Sequence, residues 1–228
     1  MGQIVILSGP VGAGKSTVAR ELIAASGEGT AYIEGDTFWS FIAKPATGQS
    51  YPKAFTMIMR AMTATARHYE RDGYEVLLDF SIPPWYLEAI GKLLQGKSFS
   101  YVVLRPSEEV CAARAAARPE GTIADYEPYA ELYRAFDGME RHTLADDAAT
   151  PAAMAARMRE GLRAGAFVIE PAPQADRQAP RFPSSNRDFD GRATHHAPET
   201  SCPCRRACAR VRSLDSSKRR RANGARPV

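Results

Sequence analysis

Gly9, Gly14, Lys15 and Ser16 stand at the fixed positions of the spacing G-x-x-x-x-G-K-[ST] within Gly9-Pro-Val-Gly-Ala-Gly-Lys-Ser16. Glycines in such a stretch let successive backbone N–H groups curl around phosphate oxygens, and a helix starting at its end adds partial positive charge. In this spacing the lysine reaches the β- and γ-phosphates and the following hydroxyl ligates Mg²⁺. Gly9, Pro10, Val11, Gly12, Ala13, Gly14, Lys15, Ser16 and Thr17 are therefore expected to hold a nucleoside triphosphate, with Ser16 on the metal.

Three further groups could act on a phosphate held there. Asp36, in Glu34-Gly35-Asp36, can accept a proton from a hydroxyl attacking phosphorus or help to hold the metal. The same residue is also suited to capping a helix that begins at Thr37. Asp79, closing an apolar run, is a candidate for the Mg²⁺ shell; Asp79 and Ser81 are equally at home as turn formers before Pro83-Pro84. Arg114 and Arg118 share one helix face ahead of a glycine-containing break. Arginines so placed can stack on adenine or neutralise charge on a transferring phosphoryl group, or can be solvated surface residues.

Positioning these groups requires strands that end where they stand. Gln3 to Leu7 is a short apolar strand ahead of the glycine-rich loop, and Ser16 to Ala25 carries Val18, Ala19, Leu22 and Ile23 at helical spacing. Thr30 to Ile33 reads as a second strand leading into Asp36. Pro52 to about Arg71 is helical, with Phe55, Ile58, Met59, Met62 and Ala66 on one side and Asp72-Gly73 as its stop. Tyr74 to Phe80 is a third strand, and a helix opened by Pro83-Pro84 runs to about Leu94. Phe99 to Leu104 is a fourth strand, followed by an Ala-rich helix to about Arg118 and a loop to Tyr126 expected to be mobile. A helix over about Pro128 to Arg141, a short strand at His142 to Leu144, and a helix capped by Thr150 with Pro151 in its first turn complete the pattern. Strands alternating with helices in this way predict a parallel sheet covered on both faces.

With these residues in place, the chain resembles the small P-loop kinases of the shikimate kinase and gluconate kinase type, and more distantly adenylyl-sulfate kinase, chloramphenicol phosphotransferase and the zeta toxin kinases. The resemblance spans about residues 3 to 165. It is carried by Gly9 to Ser16, by Glu34-Gly35-Asp36, which looks like the D-G-D of gluconate and adenylyl-sulfate kinases, and by Cys111 to Arg118, which looks like their lid helix. It implies an α/β, three-layer P-loop NTPase fold with a five-stranded parallel sheet in order 2-3-1-4-5. It also implies ATP with Mg²⁺ as cofactors, and transfer of the γ-phosphoryl group to a hydroxyl of a small molecule. The loop from Ala145 to Thr150 would then lie near the adenine. Glu34 replaces the first Asp of that pattern, and Phe80-Ser-Ile-Pro-Pro-Trp85 stands where shikimate kinases carry a glycine-rich acceptor segment, which argues against shikimate itself. Asp36, Phe38, Trp39, Phe41, Arg60 and Ser81 to Trp85 are the candidates for the acceptor wall; packing under the helices would explain the aromatic residues equally well.

Within 228 residues the charge is divided: 17 Lys/Arg against 21 Asp/Glu up to Glu170, and 13 against 5 from Pro171 onwards. The net +4 therefore belongs to the second segment, and the mildly acidic body is not expected to bind nucleic acid. Residues 1–170 read as the kinase domain. Residues 171–228, rich in proline and carrying Lys218-Arg-Arg-Arg221, read as a disordered basic tail, dispensable for the fold. His195, Cys202, Cys204 and Cys208 match no established Zn²⁺ spacing. Four cysteines form no disulfide framework, and neither a secretory signal nor a membrane-spanning apolar run is found, so a cytoplasmic protein without a membrane partner is expected. Two other readings use the same loop: a kinase of antibiotic-resistance or toxin type modifying an antibiotic or sugar nucleotide, and a nucleotide-hydrolysing switch or nucleic-acid-associated ATPase.

Overall fold

A computed structural model describes residues 3–119 and 121–170 of the chain. The expected basic tail and its His/Cys group lie outside the described residues. In chain order the elements are β1 (Ile4–Ser8), α1 (Lys15–Ala24), β2 (Thr30–Glu34), α2 (Thr37–Ser40), α3 (Tyr51–Arg71), β3 (Glu75–Asp79), α4 (Leu87–Leu93), β4 (Phe99–Leu104), α5 (Glu108–Ala116), α6 (Glu127–Arg134), β5 (Thr143–Leu144), α7 (Pro151–Arg163) and β6 (Val168–Ile169). The first five strands are parallel and lie in the order β2-β3-β1-β4-β5.

Both faces of this sheet are covered, which is why its central strands read as unbroken apolar runs. Along β1, Val5 and Leu7 face one side and Ile4 and Ile6 the other. The first face meets Val18, Ala19 and Leu22 of α1 and Met154, Ala155 and Met158 of α7. The second meets Phe55, Ile58, Met59, Met62 and Ala66 of α3 and Ile90 of α4. All five α3 residues expected on the core side are buried there. Helix α3 ends at Asp72, and Gly73 supplies the positive φ of 90° that turns the chain. Glu70, buried near that end, is held by two contacts from Lys97 Nζ at 2.7 and 2.8 Å.

The structure departs from the sequence-based expectations at three places. First, β6 pairs antiparallel with β4 through Phe99–Ile169 and Ser100–Val168, so it occupies the lower part of the edge whose upper part β5 takes. Two-residue strands carry too little alternation to be read from sequence. Second, the helix expected to reach Arg141 ends at Arg134: Phe136 is drawn fully into the core, and Gly138 (φ 78°) turns the chain before a 3₁₀ turn over Glu140–His142. Third, Pro83-Pro84 opens a 3₁₀ turn over Pro84–Tyr86 before α4 begins.

Candidate active site

The loop between β1 and α1 is shaped by three glycines at positive φ: Gly9 at 138°, Gly12 at 84° and Gly14 at 90°. Two of them are also packed against backbone. A Cβ on Gly9 would stand 2.1 Å from the carbonyl oxygen of Leu104, and one on Gly12 would stand 2.1 Å from that of Cys111. The loop is thus clamped between the end of β4 and helix α5. Replacing Gly12 by alanine adds a clash with rigid backbone to a strained φ, worth about 1–3 kcal/mol together. The expected fall in melting temperature is roughly 2–4 °C per kcal/mol. Thermal denaturation of Gly12→Ala checks this, and melting like the parent would show that the loop and α5 are not packed so closely.

Lys15 begins α1, and its Nζ donates to the carbonyls of Gly9 (3.2 Å) and Pro10 (3.0 Å). Burial pushes its ammonium below the ordinary lysine range, while Asp79 and Asp36 pull it back. The register brings these groups together. Asp79 pairs with Leu7 of β1 on one side and Glu34 of β2 on the other, so it closes β3 level with the start of the loop. It is 3% exposed. Asp36 follows β2 by two residues, at the same carboxyl end of the sheet where ligands bind in open α/β folds. It occupies the N-cap position of α2 but makes no capping bond with its side chain, so the capping alternative does not hold. The residue is exposed at its edge, yet the protein around its carboxyl removes enough water to raise it above the usual range; Lys15 opposes that rise, Asp79 adds to it, and Arg118 opposes it.

Only Arg114 stands on α5: the helix ends at Ala116, so Arg118 lies beyond it rather than on one shared helix face, and both side chains are exposed to solvent. The Nη1 of Arg114 would be 3.8 Å from a Cβ on Gly14, and its Nη2 donates to the carbonyl of Asp147 at 3.5 Å. Arg118 is close enough to Lys15 and Asp36 to influence both. Arg114 therefore borders the loop on the α5 side. A cavity of about 180 Å³ opens next to the loop among Gly14, Thr17, Leu104, Leu144, Asp146 and Met154. Asp146 is held in place by N–H donors from Ala148 and Ala149 and by Arg157, and Thr150 caps α7 by accepting from Ala153 N at 3.2 Å.

Four contacts at the site could not be read from the sequence. The phenol of Tyr32 donates to Asp79 Oδ2 at 3.0 Å. Ser8 exchanges two hydrogen bonds with the Ile82 backbone (2.9 and 2.8 Å), and Tyr101 donates to the Ile82 carbonyl at 2.6 Å, which pins the segment after Asp79 against the base of the loop. Tyr126 donates to the carbonyl of Val11 at 2.7 Å, tying the chain ahead of α6 to the loop. Each joins residues far apart in the chain, where no local spacing announces a contact.

The proposed acceptor wall divides in two. Of its residues, Trp39 and Ile82 belong to the core, where Phe55 packs on the neighbouring Phe80 and Tyr86 at 5.2 Å between ring centroids. Phe41 (70% exposed) and Trp85 (38%) stand at the surface. Tyr51 stacks on Trp39 at 5.6 Å and joins the buried set to that exposed rim. Gly35 lies against this cluster so closely that a Cβ would stand 2.4 Å from the Phe80 ring.

Residues 4–131 match the family described as AAA domain. Among solved structures, the chain is similar to a sugar kinase from Janibacter sp. HTCC2649 in its unliganded form, with 15% identity over 76% of this chain and 97% of that one and a TM-score of 0.56. It is similar to the tunicamycin resistance protein of Deinococcus radiodurans, with 17% identity over 75% of this chain and 100% of that one and a TM-score of 0.56. A shikimate kinase from Acinetobacter baumannii in complex with shikimate gives 18% identity, 72% and 95% coverage, and a TM-score of 0.50. At such identities these likenesses concern the fold. No curated protein matches the chain. Since the matched region runs from β1, through the loop clamped by Gly9 and Gly12, into α6, the chain belongs to the AAA domain family, with the P-loop fold that sugar and shikimate kinases share.

Proposed function

We propose that the protein is an ATP-dependent phosphotransferase that moves the γ-phosphoryl group to a hydroxyl of a small molecule. The observation that carries this reading is Asp36: a carboxylate beside Lys15, at the carboxyl end of the strands, engaged in no helix cap. A hydrolysing switch needs only to position a water. A carboxylate set between the phosphate loop and an aromatic wall suits a bulkier hydroxyl.

Mg²⁺ fits the residues present. It is held by one or two protein oxygens together with phosphates and water rather than by a full protein cage. Ser16 and Asp79 supply such oxygens, and among the described residues no group of three or more His, Cys, Asp or Glu side chains gathers to form a cage. When bound, the metal would supply charge neutralisation on the β- and γ-phosphates. The protein's own contributions follow from its geometry. Backbone N–H groups of Gly9 to Thr17 cradle the phosphates, and Lys15 exchanges its loop carbonyls for phosphate oxygens. Asp36 takes the proton from the acceptor hydroxyl as the O–P bond forms and the bond to the leaving ADP oxygen breaks. Arg114 and Arg118 offset the charge from the lid side. The cavity lined by Thr17, Leu104 and Leu144 suits the nucleotide base, and the rim of Phe41, Tyr51 and Trp85 suits one face of a ring-bearing acceptor.

Incubating the protein with γ-labelled ATP, Mg²⁺ and a fractionated metabolite extract tests the reading. The expected result is label in one hydroxyl compound. Release of labelled inorganic phosphate alone, at the same rate with and without extract, would favour the hydrolysing switch instead.

A further inference from the structure

Tyr32 belongs to none of the groups given a role above, yet its phenol lies between two of them. It projects from β2 beside Asp79 and is 36% exposed. Its O–H donates to Asp79 Oδ2 at 3.0 Å, and the Ser16 side chain lies close enough to the same phenol to influence it. A phenol can donate once and accept at the same oxygen. With its proton on Asp79, it has a lone pair left for the Ser16 hydroxyl. A Ser16 hydroxyl that gave its proton to Tyr32 would keep its own lone pairs for a cation. Tyr32 thus bonds β2 to the carboxylate at the end of β3, with the hydroxyl at the start of α1 close to the same phenol.

On the phosphotransferase reading above, we propose that Tyr32 is a positioning residue for Mg²⁺: its phenol fixes the Ser16 hydroxyl and the Asp79 carboxylate in the orientations that hold the ion with bound nucleotide. Groups that orient metal ligands through hydrogen bonds typically change metal affinity about 10–100-fold when removed. Asp79 shows why orientation matters here. It is buried with an acceptor-only side chain, and without Tyr32 its carboxylate could rotate towards the Lys15 ammonium, which already acts on it electrostatically. Tyr32→Phe keeps the ring and removes only the oxygen that bonds Asp79 and faces Ser16.

The experiment measures binding rather than turnover. ADP affinity is measured by calorimetry in EDTA and across a Mg²⁺ titration, for the wild type, Tyr32→Phe, Asp79→Asn and the double variant, with Tyr69→Phe on the far end of α3 as a control. Mn²⁺ binding in the presence of ADP, read by electron paramagnetic resonance, gives a direct metal signal. The expected result is that Tyr32→Phe leaves ADP affinity in EDTA unchanged and lowers the melting temperature only by the loss of one hydrogen bond. It should raise the Mg²⁺ concentration for half-maximal tightening about 10–100-fold and weaken Mn²⁺ binding in parallel. Because Tyr32 acts through Asp79, adding Tyr32→Phe to Asp79→Asn should cost much less than it does in the wild type. An unchanged Mg²⁺ midpoint would overturn the proposal. So would an equal loss of ADP affinity in EDTA, or additive effects in the double variant. A wild type that binds no ADP would overturn the phosphotransferase reading as well, and this appears before any variant is made.

Discussion

Lys15→Ala is expected to lower phosphoryl transfer by about 10³-fold or more, the scale on which charge-stabilising groups act at a transferring phosphoryl. The same substitution should leave the melting temperature unchanged or slightly raised. The loop is shaped by its glycines and by the packing of Gly9 and Gly12 on the Leu104 and Cys111 backbone, not by the lysine. The ammonium is held below its ordinary range, with burial as the leading cause, so the folded state disfavours its charged form. In the interval between that lowered value and 10.5 the unfolded chain binds more protons, and stability rises with pH there; below it the cost of the charged lysine is present in full. Alanine removes that cost. Thermal melting beside a transfer assay separates the two effects, and a large loss of stability would show that Lys15 is needed to build the loop.

Asp36→Asn is expected to reduce transfer by roughly 10²–10⁴-fold, as for a positioned general base, with ATP affinity largely retained. The pH profile gives a second measure. A base must be ionised, and crowding raises the Asp36 carboxyl above its ordinary 3.8, so transfer should be lost as pH falls through a value higher than that of a normal carboxylate. The substitution should remove this acid limb. Stability moves in the opposite sense: the raised carboxyl takes up its proton in the folded state first, so its cost is present above that value and relieved as pH falls towards 3.8. Asp36→Asn should therefore be no less stable than the parent at neutral pH. Unchanged transfer would remove Asp36 from the chemistry and leave it as the residue that begins α2.

Both residues cost the fold something and are kept where a phosphate would meet them, the pattern expected where activity and stability compete. Tyr32 and Ser8 belong to the opposite kind. They bond one element to another around the phosphate loop, and neither stands in a recognisable spacing.

The amino-acid order by itself determined what depends on near neighbours. The phosphate loop was legible because its cradle is made of consecutive backbone groups, and only glycine accepts the φ values at positions 9, 12 and 14. The central strands were legible because both their faces are buried, and α3 because its core side repeats at helical spacing. The cap at Thr150 is local to three residues and stands where it was expected. Tertiary structure alone decided how these pieces meet. Asp79 becomes part of the site only because parallel pairing sets it level with Leu7 and Glu34. The bond from Tyr32 to Asp79 spans 47 residues, and the one from Ser8 to Ile82 spans 74. Helix α6 stops at Arg134 although its sequence could continue, because burying Phe136 outweighs another helical turn. Contacts of this kind depend on the register of strands brought together by chain crossovers, and register is set by the whole packed sheet rather than by any segment within it.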